Sequence, residues 1–396
     1  MSLRRRIASA LENVEHDLPA VVRPAFRAGR HLVSVGDREP EPEREATTPA
    51  ASAWPDSPKP VNYTELAKLF TVPAKEGPTG TEALGVSYSM AYTWEYHTQR
   101  IDLRALYEKS KDLMWNARTL PWSTNVDPEG ETVPDVMNPL FGSDVWRKLE
   151  KDGKIPDLRR NVGSWMLSNF LHGEQGALLA TAQIVNCAPG SDAKLYASAQ
   201  VMDEARHVEA YDRYLRDKFE LVYPISPHLK SLLDSILTDS RWDMKYLGMQ
   251  IMVEGLALAA FGVIHQTSNE PLIKQITEQI MQDEARHVAF GVLSLKDVYK
   301  DMPEKDMHDR EDFIIEASHQ LRDRFLGQEV WARMGLPQKE CEEAAEHSEM
   351  MKMFRTLLFA KIVPNVKRLG LSTPRVRAAW EEMGVLHFEK LAEGDA

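Results

Sequence analysis

Apolar and small residues form long stretches in the middle of the chain, and turns containing proline and glycine separate them. One stretch covers residues 165–185 and ends at Cys187–Ser191, which includes a Pro-Gly pair. Another covers Met249–Ile264 and ends near residues 266–271, which include a further proline. Proline and glycine at these places are typical of turns between helices. The pattern therefore predicts helical hairpins, and because strand signals are almost absent, the predicted fold class is all-α.

The N-terminal part of the chain has a different character. Residues 1–35 are compatible with one or two short amphipathic helices, and residues 36–60 are rich in Pro, Glu, Ala and Ser. That composition is typical of a flexible linker. Residues 61–155 mix turns with a helix predicted at Asp102–Ala117. We therefore predict an N-terminal segment over residues 1–60.

The rest of the chain is predicted to be one large domain, residues 61–396, with its central bundle at about residues 160–300. Beyond residue 300, two further helices are predicted at Glu304–Arg333 and Gln338–Leu369. Gly335-Leu336-Pro337 separates them.

The pentapeptide Asp-Glu-Ala-Arg-His occurs twice, at Asp203–His207 and at Asp283–His287. Each copy has another glutamate thirty residues before its own, namely Glu174 and Glu254, so the two halves are offset by eighty residues. Within each pentapeptide the glutamate and the histidine are three residues apart. They therefore project from the same face of a helix.

The turns lie midway between the paired glutamates. Pro189 is fifteen residues from both Glu174 and Glu204, and Asn269 has the same position in the second half. With a rise of about 1.5 Å per residue, each glutamate lies roughly 22 Å from its turn, so an antiparallel hairpin places the pair at one depth. Two facing hairpins would bring six side chains together: Glu174, Glu204, His207, Glu254, Glu284 and His287.

These six side chains are predicted to hold two metal ions. Four carboxylates balance the charge of two divalent ions and can bridge them, while one imidazole per ion leaves open positions. Without a thiolate, the set suits iron or manganese better than structural zinc. The alternative is a charged cluster on a helix surface. Two copies on apolar helices, where an unpaired charge is costly, favour the metal site.

The other charged residues of the pentapeptides have a predicted supporting role. A metal-bound imidazole usually donates the proton on its second nitrogen to a carboxylate. Asp203 and Asp283 are predicted to accept it, each from the histidine of the opposite hairpin. Arg206 and Arg286 would then hold the aspartates.

Small residues and two tryptophans lie near the predicted site. Gly173, Gly176 and Ala177 flank the first glutamate, and residues 255–262 are equally small and apolar. They permit either a cavity for an apolar or aromatic substrate or close packing of helices, and the sequence leaves both open. Trp115 and Trp122 are predicted to lie over the bundle, with packing favoured over substrate contact.

The ligand pattern resembles the ferritin-like di-iron carboxylate superfamily, over residues 160–300. Its oxygen-activating members include bacterial monooxygenases, the small subunit of ribonucleotide reductase and the arylamine N-oxygenases. The resemblance implies a ferritin-like four-helix bundle with flanking helices, two iron ions or a manganese–iron pair, and dioxygen as co-substrate. Two positions indicate which branch of the superfamily the chain resembles. The N-oxygenases carry a histidine where this chain has Ile280, which argues against them, and many monooxygenases carry a threonine at the position of Leu258.

Three functions compete on this evidence. The preferred one is a dinuclear oxygenase or oxidase that uses dioxygen to oxidise a small hydrophobic molecule. The alternatives are ferritin-like iron oxidation and storage, and a radical-generating subunit. The resemblance to the ribonucleotide reductase small subunit implies Tyr211 as the catalytic residue of the last. It lies four residues after His207, the offset of that family's radical tyrosine, and the second repeat has Gly291 instead. About 160 residues before the first ligand and 100 after the last disfavour storage.

The amino-acid composition limits which binding partners and which cellular compartment are expected. A net charge of −12 and a pI near 5.6 disfavour nucleic acid and anionic membranes as partners. Two cysteines without CxxC spacing indicate a reducing, cytoplasmic compartment, and the apolar run Met249–Ile264 is judged too short to span a membrane. No dinucleotide-binding fingerprint is present, so a separate ferredoxin or flavin reductase is predicted as electron donor. A homodimer is compatible with the sequence.

Overall fold

The computed structural model describes residues 77–394. The predicted N-terminal segment, residues 1–60, lies outside this range. Helices dominate the described residues, and no β-strand occurs among them, so the fold is all-α as the sequence predicts. In chain order the α-helices are α1 Ile101–Asp112, α2 Asp144–Lys151, α3 Ile155–Cys187, α4 Ser191–Tyr214, α5 Pro227–Thr238, α6 Trp242–Tyr246, α7 Glu254–Thr267, α8 Pro271–Leu295, α9 Glu304–Asp323, α10 Gln328–Arg333, α11 Gln338–His347, α12 Glu349–Leu357, α13 Ile362–Arg368 and α14 Pro374–Glu382.

Two helical hairpins form the central bundle. Helices α3 and α4 pack along each other, as do α7 and α8, and α4 also contacts α8. Gly190 precedes α4 with a φ of 85°, a left-handed conformation that glycine adopts without a steric penalty. The second turn is closed differently. The Glu270 carboxylate accepts hydrogen bonds from the backbone N–H groups of Leu272 and Ile273, both at 2.7 Å, and so caps α8.

The third bundle helix is longer than its apolar run suggested. Helix α6, a π-helical segment at Leu247–Val253 and α7 follow one another without a break, so the helix extends over Trp242–Thr267. It is long and apolar enough to cross a membrane by length and composition, which corrects the expectation that the run is too short. However, 72% of its most apolar window is buried inside the protein. Burial against the other helices accounts for its apolar character.

Several predicted helix boundaries were wrong. Helix α1 ends at Asp112, five residues before the predicted end, and Ala117 begins a separate 3-10 turn. The predicted helix Glu304–Arg333 divides into α9 and α10, because Gly327 adopts a φ of 75°. The predicted helix Gln338–Leu369 divides into α11, α12 and α13, and the Ser348 side chain caps α12. A glycine in the left-handed conformation and a capping serine both end helices that hydrophobic periodicity alone would continue.

The flanking segments attach to the bundle through specific contacts. The backbone N–H groups of Gln99 and Arg100 donate to the Asp192 carboxylate in the first turn of α4, at 2.8 and 2.9 Å. The ammonium group of Lys218 donates to the backbone carbonyls of Trp122 and Thr124, at 2.7 and 2.8 Å. The tryptophan segment is thereby held against the end of α4.

Candidate metal centre

The six predicted ligands lie together in the centre of the bundle, and all six are buried. They form two overlapping groups. Around His207 Nδ1 lie Glu174 Oε2 at 3.2 Å, Glu204 Oε2 at 3.4 Å and Glu284 Oε1 at 3.4 Å. We call these four residues the His207 half-site. Their candidate ligand atoms lie within 4.8 Å of one another, so a single ion could contact all of them.

The second group surrounds His287. Its Nδ1 lies 3.1 Å from Glu204 Oε1 and 4.0 Å from Glu254 Oε2. We call these three residues the His287 half-site. Glu204 belongs to both half-sites, and each of its oxygens faces a different histidine, as a carboxylate between two ions would. The two imidazole centroids are 5.9 Å apart.

Unsatisfied oxygens in the cluster fit a cation. Glu204 Oε2, Glu254 Oε2 and both oxygens of Glu284 are buried and have no hydrogen-bond partner among the described residues. A buried polar atom without a partner destabilises the fold by about 1–3 kcal/mol. Two divalent ions would satisfy all of these oxygens, and the donor set of carboxylate and imidazole suits iron and manganese.

The electrostatics of the cluster lead to the same conclusion. Burial raises the pKa of the Glu174 carboxyl to about 8, and the negative charge of Glu284 adds to the rise, although His207 partly offsets it. Burial also raises the pKa of Glu254 well above its ordinary value, again with a contribution from Glu284. Carboxyl groups this close and this buried resist ionising together. Bound cations would allow all of them to be ionised.

The aspartates of the two pentapeptides contact the histidines from the outer side. His207 Nε2 lies 3.1 Å from Asp283 Oδ2, and His287 Nε2 lies 3.2 Å from Asp203 Oδ2. Each aspartate therefore reaches the histidine of the opposite hairpin. The contact directs Nδ1 of each imidazole towards the carboxylates. Burial tends to raise the pKa of Asp283, but the hydrogen bond and the charge of His207 outweigh it and lower the pKa.

The two arginines connect the aspartates. Arg206 pairs with Asp203 of its own helix and lies 3.4 Å from Asp283, while Arg286 pairs with Asp283 and lies 3.5 Å from Asp203. All four side chains are buried. The pairs form a closed network across the α4–α8 contact, which fixes the direction of each aspartate.

Trp115 contacts the site in a way that the sequence did not predict. Its indole N–H donates to Asp283 Oδ2 at 2.7 Å, and its ring stacks on the His207 imidazole with centroids 6.3 Å apart. The Arg206 guanidinium lies over the same ring at 5.3 Å. The sequence favoured packing for this tryptophan. In the structure it is half-buried, and it connects the protein surface to Asp283, the aspartate that contacts His207.

Gln200 is a second residue that sequence reasoning missed. It lies one turn before Glu204 on α4 and is fully buried. Its amide Nε2 donates to Glu204 Oε1 at 3.0 Å and to Glu254 Oε1 at 2.8 Å. The four-residue spacing from Glu204 was a signal that could have identified it, because residues at i and i+4 share a helix face.

Tyr211 lies beside the His207 half-site. It is fully buried, and its ring packs against Phe170 and Phe261 with centroids 6.0 and 5.9 Å apart. Burial raises the pKa of its phenol well above the ordinary value, and the negative charge of Glu174 adds to this. Its hydroxyl has no hydrogen-bond partner in the described part of the chain. A catalytic role for Tyr211 stays a prediction.

The small residues of α3 serve packing at one position at least. A Cβ on Gly176 would lie 2.5 Å from Leu233 Cδ2 of α5, so a glycine permits the close approach of these helices. Gly173 has open space around its Cβ position. A cavity of about 80 Å³ is lined by Arg100, Asp192 and Tyr246 among others, and none of the six carboxylate and imidazole side chains lines it.

The two positions that bear on the family branch are both apolar. Ile280 is fully buried on α8, one turn before Glu284, and supplies no ligand atom. Leu258 is half-buried on α7, one turn after Glu254.

Comparison with solved structures gives matches that are distant in sequence, two of which follow. The dimanganese(II) NrdF of Streptococcus sanguinis is 14% identical, with 75% of this chain and 100% of that chain covered and a TM-score of 0.48. The V72I mutant of an R2-like ligand-binding oxidase, reconstituted with a Mn/Fe cofactor, is 16% identical. That match covers 67% of this chain and 93% of the other, with a TM-score of 0.42. Comparison with curated proteins found no match.

The sequence profile of one protein family matches most of the chain. The family is described as P-aminobenzoate N-oxygenase AurF, and the match extends over residues 98–370, which include all six candidate ligands. It overturns the expectation from Ile280, since the chain falls within the branch that the missing histidine seemed to exclude. The chain belongs to the AurF N-oxygenase family, and it is an oxygenase with a centre suited to two metal ions.

Proposed function

We propose that this enzyme uses two ions, held by the six buried side chains, to oxidise the nitrogen of a small aromatic amine. The observation that carries the proposal is the pair of overlapping half-sites, with carboxylate oxygens that have no other partner. The ligands would be Glu174, Glu204, His207, Glu254, Glu284 and His287.

The protein's own side chains place carboxylates around the ions and fix the orientation of the two imidazoles. When bound, the two ions would supply the electrons that reduce dioxygen. Glu204 faces both histidines and is suited to connect the two ions. Asp203 and Asp283 fix the imidazoles, so that Nδ1 of each points inwards. The burial of the cluster excludes bulk water and strengthens each of these interactions.

The substrate class rests on two observations. The family's named substrate is p-aminobenzoate, an aromatic amine. The ligand helix α7 is apolar beyond Glu254, and Ala257, Leu258 and Ala259 on it are only half-buried. An apolar surface next to the ligands suits an aromatic ring better than a charged or sugar-like molecule.

The reaction needs electrons from outside. Converting an amine to a hydroxylamine inserts one oxygen atom of dioxygen into the N–H bond. The second oxygen atom leaves as water, which takes up two electrons and two protons. We therefore include a separate ferredoxin or flavin reductase in the proposal. The cytoplasmic location and the homodimer remain predictions.

The test compares two molecules that differ only in the amine. Reduced, iron-loaded protein would be mixed with 4-aminobenzoate or with benzoate in ¹⁸O₂, and the products analysed by mass spectrometry. We expect oxygen-18 on nitrogen for the amine and no product for benzoate. Oxidation of a ring carbon in both compounds would contradict N-oxygenation. A mineral core in a hollow assembly would favour iron storage instead.

A radical-generating role is the second candidate, and Tyr211 is the observation that favours it. A buried phenol beside the carboxylates, with no hydrogen-bond partner for its hydroxyl among the described residues, is placed to lose an electron to an oxidised centre. Against this, Phe170 and Phe261 pack around the ring as they would around any core aromatic.

A further inference from the structure

Gln200 joins one carboxylate of each repeat through a single amide group. Its Nε2 carries two hydrogens and donates to Glu204 Oε1 at 3.0 Å and to Glu254 Oε1 at 2.8 Å. Both acceptors belong to the His287 half-site. Glu254 Oε2, which lies towards His287, has no hydrogen-bond partner among the described residues and remains available for a cation. Glu204 Oε1 faces His287 and accepts from Gln200, whereas the unpartnered Glu204 Oε2 faces His207.

The other repeat has no equivalent of this amide. The position eighty residues later is Ile280, which is fully buried and has no donor. Glu284, one turn after Ile280, has no hydrogen-bond partner on either oxygen in the described part of the chain. The hydrogen bonds of Gln200 therefore reach both carboxylates of the His287 half-site, but only the shared carboxylate, Glu204, of the His207 half-site.

The two half-sites also differ in the number of ligands. The His207 half-site has four side chains whose candidate ligand atoms lie within 4.8 Å of one another, and the His287 half-site has three. Glu284 Oε1 also lies 3.5 Å from His287 Nδ1. Glu254 Oε2 is also the more distant oxygen, at 4.0 Å from His287 Nδ1. Two carboxylates that repel each other need an external donor to keep both in place, and Gln200 is that donor for Glu204 and Glu254.

We propose that Gln200 is a positioning residue for the second metal ion. It holds Glu204 and Glu254 in the His287 half-site, where we expect the ion to bind more weakly because the candidate ligand atoms grouped there are fewer and Glu254 Oε2 is the most distant of them. The proposal rests on the proposed function, since it assumes that both half-sites hold ions.

The experiment is a titration of metal-free protein with Mn²⁺ in the absence of oxygen. Calorimetry measures the binding steps, and electron paramagnetic resonance separates single ions from coupled pairs. The unmodified protein should bind two ions in unequal steps, with a single-ion signal before the coupled one. In Gln200→Met, which keeps length but removes both donors, the weaker step should lose about 10–100-fold in affinity. The tighter step should lose much less, because Gln200 bonds only one of the three carboxylates of the His207 half-site, the shared Glu204.

Gln250 provides a matched control. It is also a fully buried glutamine of the bundle, and neither of its amide atoms has a hydrogen-bond partner within the described residues. The same substitution, Gln250→Met, should leave both binding steps unchanged. If Gln200→Met fails to fold by circular dichroism, Gln200→Leu replaces it as a smaller hydrophobic variant.

The outcomes are distinguishable. An equal loss of both steps in a folded Gln200 variant would mean that the residue only supports the bundle, and this overturns the proposal. So would a Gln200 variant that binds as the unmodified protein does, or an unmodified protein with two equal steps. Failure of the unmodified protein to bind any Mn²⁺ or Fe²⁺ would instead remove the proposed function itself.

Discussion

The two repeats have the same ligand pattern but different surroundings. Gln200 of the first repeat corresponds to Ile280 of the second, and Tyr211 corresponds to Gly291. All four residues are buried. Identical candidate ligands therefore do not have identical surroundings, because the residues one turn away along the same helices differ. The His287 half-site receives an amide donor, and the His207 half-site receives a phenol.

The second repeat has Gly291 where the first has Tyr211, and the packing around Gly291 leaves no room for a larger side chain. A Cβ on Gly291 would lie 2.6 Å from Gln250 Cβ, so the volume next to this glycine is already filled. Gln250 lies in the π-helical segment that precedes α7, whereas the corresponding Phe170 lies in the regular helix α3. The two repeats therefore differ here both in the side chain and in the helix type, and π-helical segments are frequent at functional sites.

The aspartates differ in the same way. Asp283 accepts a hydrogen bond from Trp115 as well as contacting His207, whereas Asp203 has no tryptophan contact among the described residues. On the His207 side of the site, therefore, the half-buried Trp115 lies between the protein surface and the contact of Asp283 with His207. This difference between the surroundings of the two repeats can be tested by substitution.

The largest effect is expected from the residue that both half-sites share. Glu204→Ala removes the carboxylate that faces His207 and His287, so metal content should fall from about two ions to one or fewer, and oxidation of the amine should be lost. Metal analysis and oxygen consumption measure this. Glu209→Ala, a half-buried carboxylate on the same helix, is the control and should keep both ions. Stoichiometric zinc in the unmodified protein would contradict the dinuclear iron or manganese site.

A smaller and unequal effect is expected from the two aspartates. Asp283→Asn and Asp203→Asn should each lower metal affinity by about 10–100-fold, because the histidine loses its charged partner. Asp283→Asn should have the larger effect, since Trp115 also depends on this carboxylate. Titration with Mn²⁺ measures both variants. Trp115→Phe, which keeps a ring but removes the N–H group, separates the indole contact from the charge. Equal losses in the two aspartate variants would argue that Trp115 adds nothing.

The packing difference can be tested without metal. Gly291→Ala places a Cβ against Gln250, which should lower the free energy of unfolding by about 1–3 kcal/mol through overpacking. Gly173→Ala is the matched control in the first repeat. Its Cβ position is open, so an alanine should stabilise the helix by about 0.5–1 kcal/mol. Urea unfolding of the two variants gives the comparison, and a Gly291→Ala protein of unchanged stability would disprove the packing account.

The smallest effect is expected from Tyr211→Phe. The hydroxyl that it removes has no hydrogen-bond partner among the described residues, so the free energy of unfolding should change by less than about 0.5 kcal/mol. Formation of the oxidised amine should continue. Electron paramagnetic resonance after mixing the ferrous protein with dioxygen provides the decisive measurement. A stable tyrosyl signal that disappears in this variant would favour the radical-generating role over the oxygenase.

The sequence by itself predicted the helical hairpins and the six converging side chains. This was possible because spacing along one helix is a local property: residues three or four apart share a face, and turns midway between two glutamates place them at one depth. The contacts between Asp203 and His287, and between Asp283 and His207, were predicted from a general rule, that a metal-bound imidazole usually donates its second N–H to a carboxylate.

Only the tertiary structure determined which residues contact one another between the two repeats and around the site. The position of Trp115 on Asp283 joins residues 168 positions apart, and the bond from Gln200 to Glu254 joins residues 54 positions apart. Such contacts depend on how far each helix is rotated and how closely it packs, which periodicity does not determine. For the same reason the sequence left open whether Gly176 borders a cavity or a neighbouring helix, and the approach of Leu233 is a property of the folded chain alone.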